Sequence, residues 1–366
     1  MYRAGIRELR LSQGRHADWY YEVTRKCLRS IVHSHIVNFG ADSFVEGLSE
    51  PYFFDFLVVA SGLDELEGDS TTILGAILKE SVFPESGVAV LGGLNLTRFQ
   101  VPKELRLVAD YFGLSEREVD RLLYCSRMVA KIDSVAIQDG HEIYFHMMLL
   151  SRSRMWTIVQ QSSNPLTAQV KRYHWFSGHV QSFVNEPHSG IVAKERQKIV
   201  LDMTARESEE ARRVSVELLN SSPSKLRRVQ AYSRMLRQTQ LCDDPETATQ
   251  LDFLGQIGNI SWSLLDAVSR SAPNNYEELL AVRGVGREIV KLLALGCKVF
   301  HNVSPSFRDR SMLAPEITEN YGAAEVLSRL QEVVDAIKAS GMDQGLKNRA
   351  LSRLAHVYGE TEDLAG

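Results

Sequence analysis

The chain has 366 residues, 44% of them hydrophobic and 24% charged, with a net charge of -4. That length supports a sizeable core and two or three domains, and the composition excludes a disordered or collagen-like chain. The weak negative balance does not announce a nucleic-acid binder, yet a local basic face can still serve one. The four cysteines, Cys27, Cys125, Cys242 and Cys297, lie far apart in sequence. This removes a Cys-x-x-Cys metal knuckle and a disulfide framework, and fits a reducing, cytoplasmic setting. The opening "MYRAGIRELRLSQG" carries charges where a signal peptide needs apolar residues, and no run of about 18 apolar residues offers a membrane span.

Residues 16–40 repeat apolar side chains at intervals of three and four, which predicts a helix stopped by Gly40. His33 and His35 on that helix point to different faces and read as surface or packing groups. "GADSFVEGLSEPYFFDFLVVASGLD" predicts two short helices, with Pro51 in a first turn. Asp69, Ser70 and Thr71 open the next helix, as an N-cap or as a phosphate cradle. "SGVAVLGG" reads as a short strand. A helix pair broken at Gly113 follows, its second member opened by Ser115 and Glu118 at capping-box spacing.

"VAKIDSVAIQDGHEIYFHMMLL" reads as a hairpin, with strands at Val129–Gln138 and His141–Leu150 and a type I′ turn at Asp139-Gly140. In that register Asp133 lies opposite His146, close enough to orient the imidazole or to share a metal ion with it. A third strand, Met155–Gln161, brings either Gln160 or Val159 opposite His146, so an amide follows the pair across the sheet. Residues 162–200 read as irregular. They hold "KRYHW", in which Lys171, Arg172 and His174 stand among aromatics, and "NEPHSG", with Glu186 and His188. Cations beside aromatics suit phosphates and stacked bases.

From Thr204 the patterns are helical, opened by a second capping box from Thr204 to Glu207. Residues 221–240 carry five basic residues, Lys225, Arg227 and Arg228 among them, and no acidic ones. Across residues 165–240, 13 Lys and Arg face 7 Asp and Glu, a local surplus that suits a polyanion. "NNYEELLAVRGVGREIVKLLALGCKVF" predicts two helices, the first capped by Asn274 or Asn275, joined by a turn at Gly284, Val285 and Gly286. It resembles a helix-hairpin-helix module, whose known copies bind DNA backbones without reading sequence. The turn would present backbone N–H groups to a phosphate, with Arg283 and Arg287 flanking it and Lys291 one turn on.

The order of motifs resembles domain-of-unknown-function family 763 over about residues 4–310. They run "GIRELRL", "GADSFVEGLSEPYFF", "STTILGAILKE", "VAKIDSVAIQDGHEIYFH", "WTIVQQ", "KRYHW", "EPHSGI", "VRGVGREIVKLLAL" and "PSFRD". The resemblance implies an intracellular archaeal or bacterial protein, often from a thermophile, and carries no established activity. Asp133, Gln138, Tyr144, His146, Gln160, Gln161, Arg172, Tyr173, His174, Glu186 and His188 match its pattern. The chain departs from it at "SSN" after the paired glutamines, at "GGLNLTR" and at "DELEGDS".

The expectation is an α+β protein: helices around a small antiparallel sheet over residues 1–203, then a mostly helical domain over 204–366. The leading functional expectation is a metal-dependent nuclease of DNA repair or recombination. Asp133, His146 and Glu186 would hold Mg²⁺ or Mn²⁺, Lys171 or Arg172 would clamp phosphate, and His174 or His188 would move a proton. One sheet carboxylate is few for a hard cation. The alternatives are a non-catalytic DNA-binding repair scaffold and an enzyme for a small phosphorylated substrate held at the "STT" helix start. If one DNA is to touch both sheet and glycine turn, they must share a side or be bridged by a second copy or a repair-complex partner.

Overall fold

The computed structural model describes residues 15–65, 69–94, 100–221, 223–236, 244–313 and 316–359. The N-terminal "MYRAGIRELRLSQG", parts of "DELEGDS", "GGLNLTR" and the basic run, and the acidic tail lie outside them. The chain is α+β. Helices α1 (Arg15–Phe39), α2 (Ala41–Gly47), α3 (Pro51–Ser61) and α4 (Ser70–Ser81) lead into strand β1 (Val88–Leu94). Helices α5 (Gln100–Phe112) and α6 (Glu116–Lys131) follow, then β2 (Ile137–Gln138), β3 (Glu142–Ser151), β4 (Trp156–Ser163), β5 (Val170–Phe176), β6 (Gly190–Ala193) and β7 (Leu201–Asp202). The remainder is helical: α7 (Glu209–Ser221), α8 (Pro223–Leu236), α9 (Pro245–Gly255), α10 (Trp262–Arg270), α11 (Tyr276–Ala281), α12 (Arg287–His301), α13 (Ala323–Ala339) and α14 (Gln344–Tyr358).

Local chemistry explains many boundaries. Ser115 and Glu118 form the expected reciprocal capping box of α6. Asp69 caps α4, accepting from the Thr71 and Thr72 N–H groups, and takes the Tyr144 hydroxyl at 2.6 Å on its other oxygen. The cradle read at "STT" is therefore filled by the protein's own carboxylate. His35 is buried among Phe39, Phe44 and Phe53 and bonds Glu332, which makes it a packing group.

Five strands form an antiparallel sheet in the order β1-β3-β4-β5-β6, while β2 pairs with β7. The expected hairpin at Asp139-Gly140 is therefore absent. α6 continues to Lys131, the backbone widens into a π turn over Ile132–Ala136, and only Ile137 and Gln138 are extended. The β-branched composition misleads there. Val129, Ile132, Val135 and Ala136 are buried at intervals of three and four, the helical spacing. "KRYHW" is also strand, not loop. The Thr204–Glu207 capping box does not form, because Asp202 takes the Thr204 hydroxyl at 2.6 Å and α7 starts only at Glu209.

Alternation divides the sheet between two cores. Leu91, Met148, Leu150, Ile158, Tyr173 and Trp175 face α5, α6 and the helices of the second half. Val90, Phe145, Met147, Leu149 and Val159 face α1, α3 and α4, with α13 and α14 returning to that side. A division at residues 203 and 204 crosses both cores.

Candidate active site

Helix α6 buries one face, and Ser126 lies on it beside Leu122, Cys125 and Val129. Ser126 Oγ reaches His146 Nε2 of β3 at 2.9 Å. His146 Nδ1 meets Gln160 Oε1 of β4 at 2.9 Å, since the register sets these two residues opposite each other. Gln160 Nε2 donates to Asp133 Oδ2 and, at 3.3 Å, to the Val129 carbonyl. With both amide hydrogens committed, Gln160 Oε1 must accept, so the proton sits on His146 Nδ1. Nε2 is then a bare acceptor for the Ser126 hydroxyl. Burial lowers the His146 pKa against the opposing pull of Gln160 and Asp133, which keeps the imidazole neutral near neutral pH.

Asp133 does not oppose His146. It hangs from the π turn beneath the sheet, 3% exposed, and accepts from Gln160, from Trp175 Nε1 at 2.9 Å and from His188 Nε2 at 2.6 Å. The result is a continuous chain, Ser126–His146–Gln160–Asp133, braced at its inner end by Trp175 and His188. Gly92 makes room for it. Its φ is +81°, and a Cβ there would overlap the His146 carbonyl oxygen.

Ser126, His146 and Gln160 line a cleft of about 1090 Å³. Arg106, Arg127, Lys131 and Arg287 also line it, against two carboxylates, Asp120 and Glu142. Among the described residues the Arg106, Arg127 and Lys131 side chains have no hydrogen-bond or ion-pair partner. Burial lowers the Lys131 pKa, and an anion bound there would favour its charged form. Arg287 is the first residue of α12, and its guanidinium bonds the Ser134 carbonyl at 2.5 Å and the His141 carbonyl. Gln138 returns a bond to the Arg287 carbonyl at 3.1 Å. The glycine turn is thereby tied to the rim of the cleft.

The other expected site residues fall elsewhere. Lys171 is 2% exposed and bridges Asp139 at 2.6 Å and Asp309 at 2.8 Å, so it clamps no ligand. Arg172 and His174 face the opposite side of the sheet. Arg172 pairs with Asp55 at 2.7 Å and lies over the Phe54 ring. It donates to His174 Nε2, while His174 Nδ1 meets the Leu48 carbonyl at 3.0 Å, so both ring nitrogens are spent. Burial, aided by Arg172, holds the His174 pKa well below the usual range. Gln161 faces the same side, its Oε1 buried and without a hydrogen-bond partner among the described residues. Glu186 is exposed and meets Arg206 at 3.4 Å and Arg310 at 3.5 Å.

The proposed ligand set Asp133, His146 and Glu186 is therefore not gathered about one point. The oxygens of Asp133 and the nitrogens of His146 are occupied by neighbours, and these residues do not fit a hard divalent cation. Among the described residues no group of three or more His, Cys, Asp or Glu is arranged to hold a metal ion.

In the second half, Asn275 caps α11, Gly284 takes φ +95°, and Gly286 opens α12 with no side-chain cap. Val285 is buried and Arg283 exposed. Lys291 lies over the Phe253 ring, 4.4 Å from its centroid, and meets the Gln256 carbonyl at 3.4 Å. Lys225, Arg227 and Arg228 are exposed on α8, with Arg227 bonded to Asp266 at 3.2 Å.

Reading the sequence for the site missed Ser126, Arg106, Arg127 and Lys131. One signal was available. In "DRLLYCSRMVAK" the spacing Leu122, Ser126, Val129 sets a hydroxyl on the apolar stripe, and Arg127 and Lys131 share the next face at i and i+4. No curated protein and no solved structure matches the chain. No helix among the described residues is long and apolar enough to cross a membrane. A family model described as "Protein of unknown function (DUF763)" matches residues 5–321, a span that holds the hydroxyl–imidazole–amide chain, the cleft and the glycine turn, and the chain belongs to that family.

Proposed function

We infer that the protein binds nucleic acid, DNA in the first instance, and processes its phosphodiesters in the cleft between α6 and the sheet. The observation that carries this reading is the set of cations Arg106, Arg127 and Lys131, which form no ion pair among the described residues, around a neutral hydroxyl–imidazole pair. Phosphate is the anion that three such groups suit, and a backbone offers it repeatedly. The glycine turn extends the footprint: α12 begins uncapped at Gly286, Arg283 is exposed beside it, and Arg287 belongs to both turn and cleft. On this reading one strand of nucleic acid runs from turn to cleft on a single protomer. No step is routed through a metal, since Asp133, His146 and Glu186 form no ligand set. The unpaired, buried thiols of Cys27, Cys125 and Cys297 suit a reducing cytoplasm.

Fluorescence anisotropy with labelled single-stranded and duplex 20-mers tests the reading. Binding is expected at low salt, with an apparent constant that falls as salt rises at a log–log slope of roughly -3 for about three to four phosphates neutralised. Arg127→Glu should flatten that slope and weaken binding. A failure to bind at micromolar protein in about 20 mM salt, or a slope near zero, overturns the reading.

A further inference from the structure

The geometry points to Ser126 as a covalent nucleophile toward phosphodiesters, with His146 as its general base and Gln160 and Asp133 as positioning residues. The inference rests on the reading of the cleft as a phosphate site and names the chemistry performed there. Helix serines in this protein ordinarily spend their hydroxyl on the preceding turn. Ser61 donates to Leu57, Ser134 to Ala130, Ser215 to Ala211 and Ser221 to Glu217. That back-bond is the default for a hydroxyl within a helix. Ser126 instead turns its oxygen to His146 Nε2 at 2.9 Å. The imidazole is prepared for it, because Gln160 holds the Nδ1 proton and leaves Nε2 as the acceptor. A hydroxyl, a base and a group fixing the tautomer of the base make up an activated nucleophile.

The surroundings select the electrophile. Arg127 follows Ser126 in α6, and Lys131 and Arg106 line the same cleft. A phosphodiester enters as an anion and spreads more negative charge over its oxygens as the nucleophile closes in, which these cations stabilise. Ser126 Oγ attacks phosphorus and its proton passes to His146 Nε2. The P–O bond to the leaving alcohol breaks, and that oxygen takes the proton from Nε2. The products are a Ser126 phosphodiester and a free alcohol. Water then attacks the same phosphorus and gives a proton to Nε2. Ser126 Oγ departs and recovers that proton, leaving a phosphomonoester. Water is the one co-reactant, and no oxidation state changes.

The test uses the whole protein and the p-nitrophenyl ester of thymidine 5′-monophosphate. Wild type should release nitrophenolate, and after an acid quench a thymidylyl group should appear on the peptide that contains Ser126. Ser126→Ala should lose the label and slow release by about 100-fold or more, the usual scale for removing such a group. Gln160→Ala should lower kcat with little change in KM and displace the pH profile, which a merely structural amide would not do. Thermal unfolding of each variant is recorded alongside. If a variant fails to fold, the labelled peptide of wild type still decides. Release that persists in folded Ser126→Ala, or label on another residue, overturns the assignment. Absence of release from wild type that still binds labelled DNA overturns the nucleophile and leaves the binding reading intact. Absence of both overturns the two together.

Discussion

The indole of Trp175 donates to Asp133 Oδ2 at 2.9 Å, across 42 residues of chain. With His188 and Gln160 on the same carboxylate, Asp133 joins the π turn, β4, β5 and the loop before β6. Asp133→Ala leaves three buried donors without an acceptor, at about 1–3 kcal/mol each. We expect a loss of about 3–5 kcal/mol in urea unfolding, the scale for breaking a buried polar network. A loss below about 1 kcal/mol would mean that the donors find other partners. Any activity lost in Asp133→Ala has to be read against that instability.

His146 and His174 have their pKa values lowered by burial, His174 also by Arg172. Each is neutral in the folded protein and protonates more readily when unfolded, near pH 6.5. Their contribution to stability is therefore complete above that value and is lost as pH falls from it toward the folded pKa. Each group adds up to about 1.4 kcal/mol per pH unit to that slope. The urea midpoint should hold between pH 7 and 8 and drop between pH 6.5 and 5. A flat midpoint across that acid range would show that these imidazoles are not held neutral.

Gly92 beside His146 and Gly286 in the glycine turn should respond in opposite ways to alanine. Gly92→Ala meets the His146 carbonyl at a positive φ and should unfold or gravely destabilise the protein. Gly286 sits at φ -125°, with a Cβ no closer than 3.9 Å to the Gly284 oxygen, so Gly286→Ala should fold normally. If the turn approaches a phosphate, that methyl group should still weaken DNA binding several-fold by anisotropy. Unchanged affinity in Gly286→Ala would remove the turn from the interface.

Lys171 joins two carboxylates that burial alone would push up. His141 and Lys171 hold Asp139 below the usual range, and Lys171 with Ser311 and Gln197 does the same for Asp309. Such groups support the fold above the unfolded carboxylate pKa and lose that support as pH falls through the folded value. Lys171→Met sets the two acids side by side without a cation. Stability should fall by about 3–5 kcal/mol at neutral pH, and the acid unfolding midpoint should move upward. Circular dichroism during acid titration would record both, and an unmoved acid midpoint would contradict the account.

Local chemistry was readable from sequence wherever the residue type itself dictates the backbone. Ser115 with Glu118 is of that kind, while the cap at Asn274 or Asn275 and the residue facing His146, Gln160 or Val159, stay open in the sequence and resolve to Asn275 and Gln160 in the structure. Asp133 reads in the sequence as a strand residue opposite His146, and it lies instead in the π turn. The β-branched residues around it suggested a strand, whereas packing against the helices of the second half holds the segment as a π turn. Lys171 and Arg172 looked like ligand clamps because their partners, Asp309 and Asp55, are remote in sequence. The spacing that sets Ser126 on the apolar stripe of α6 marks it as buried but carries no sign that His146 will face it.

Helices α13 and α14 close over α1 and α3, burying Val333, Ile337, Leu346 and Leu354 with Leu28, Ile31, Phe53 and Phe56. Helices α1 and α3 thus leave the ribosome well before the helices that cover them. At roughly 5–20 residues per second the wait is on the order of 15–60 s. During that interval the aromatic faces of α2 and α3 have no permanent cover. A nascent chain arrested before α13 should bind a holdase chaperone and release it once the closing pair emerges, which makes the appearance of α13 and α14 the trigger for sealing this half of the protein.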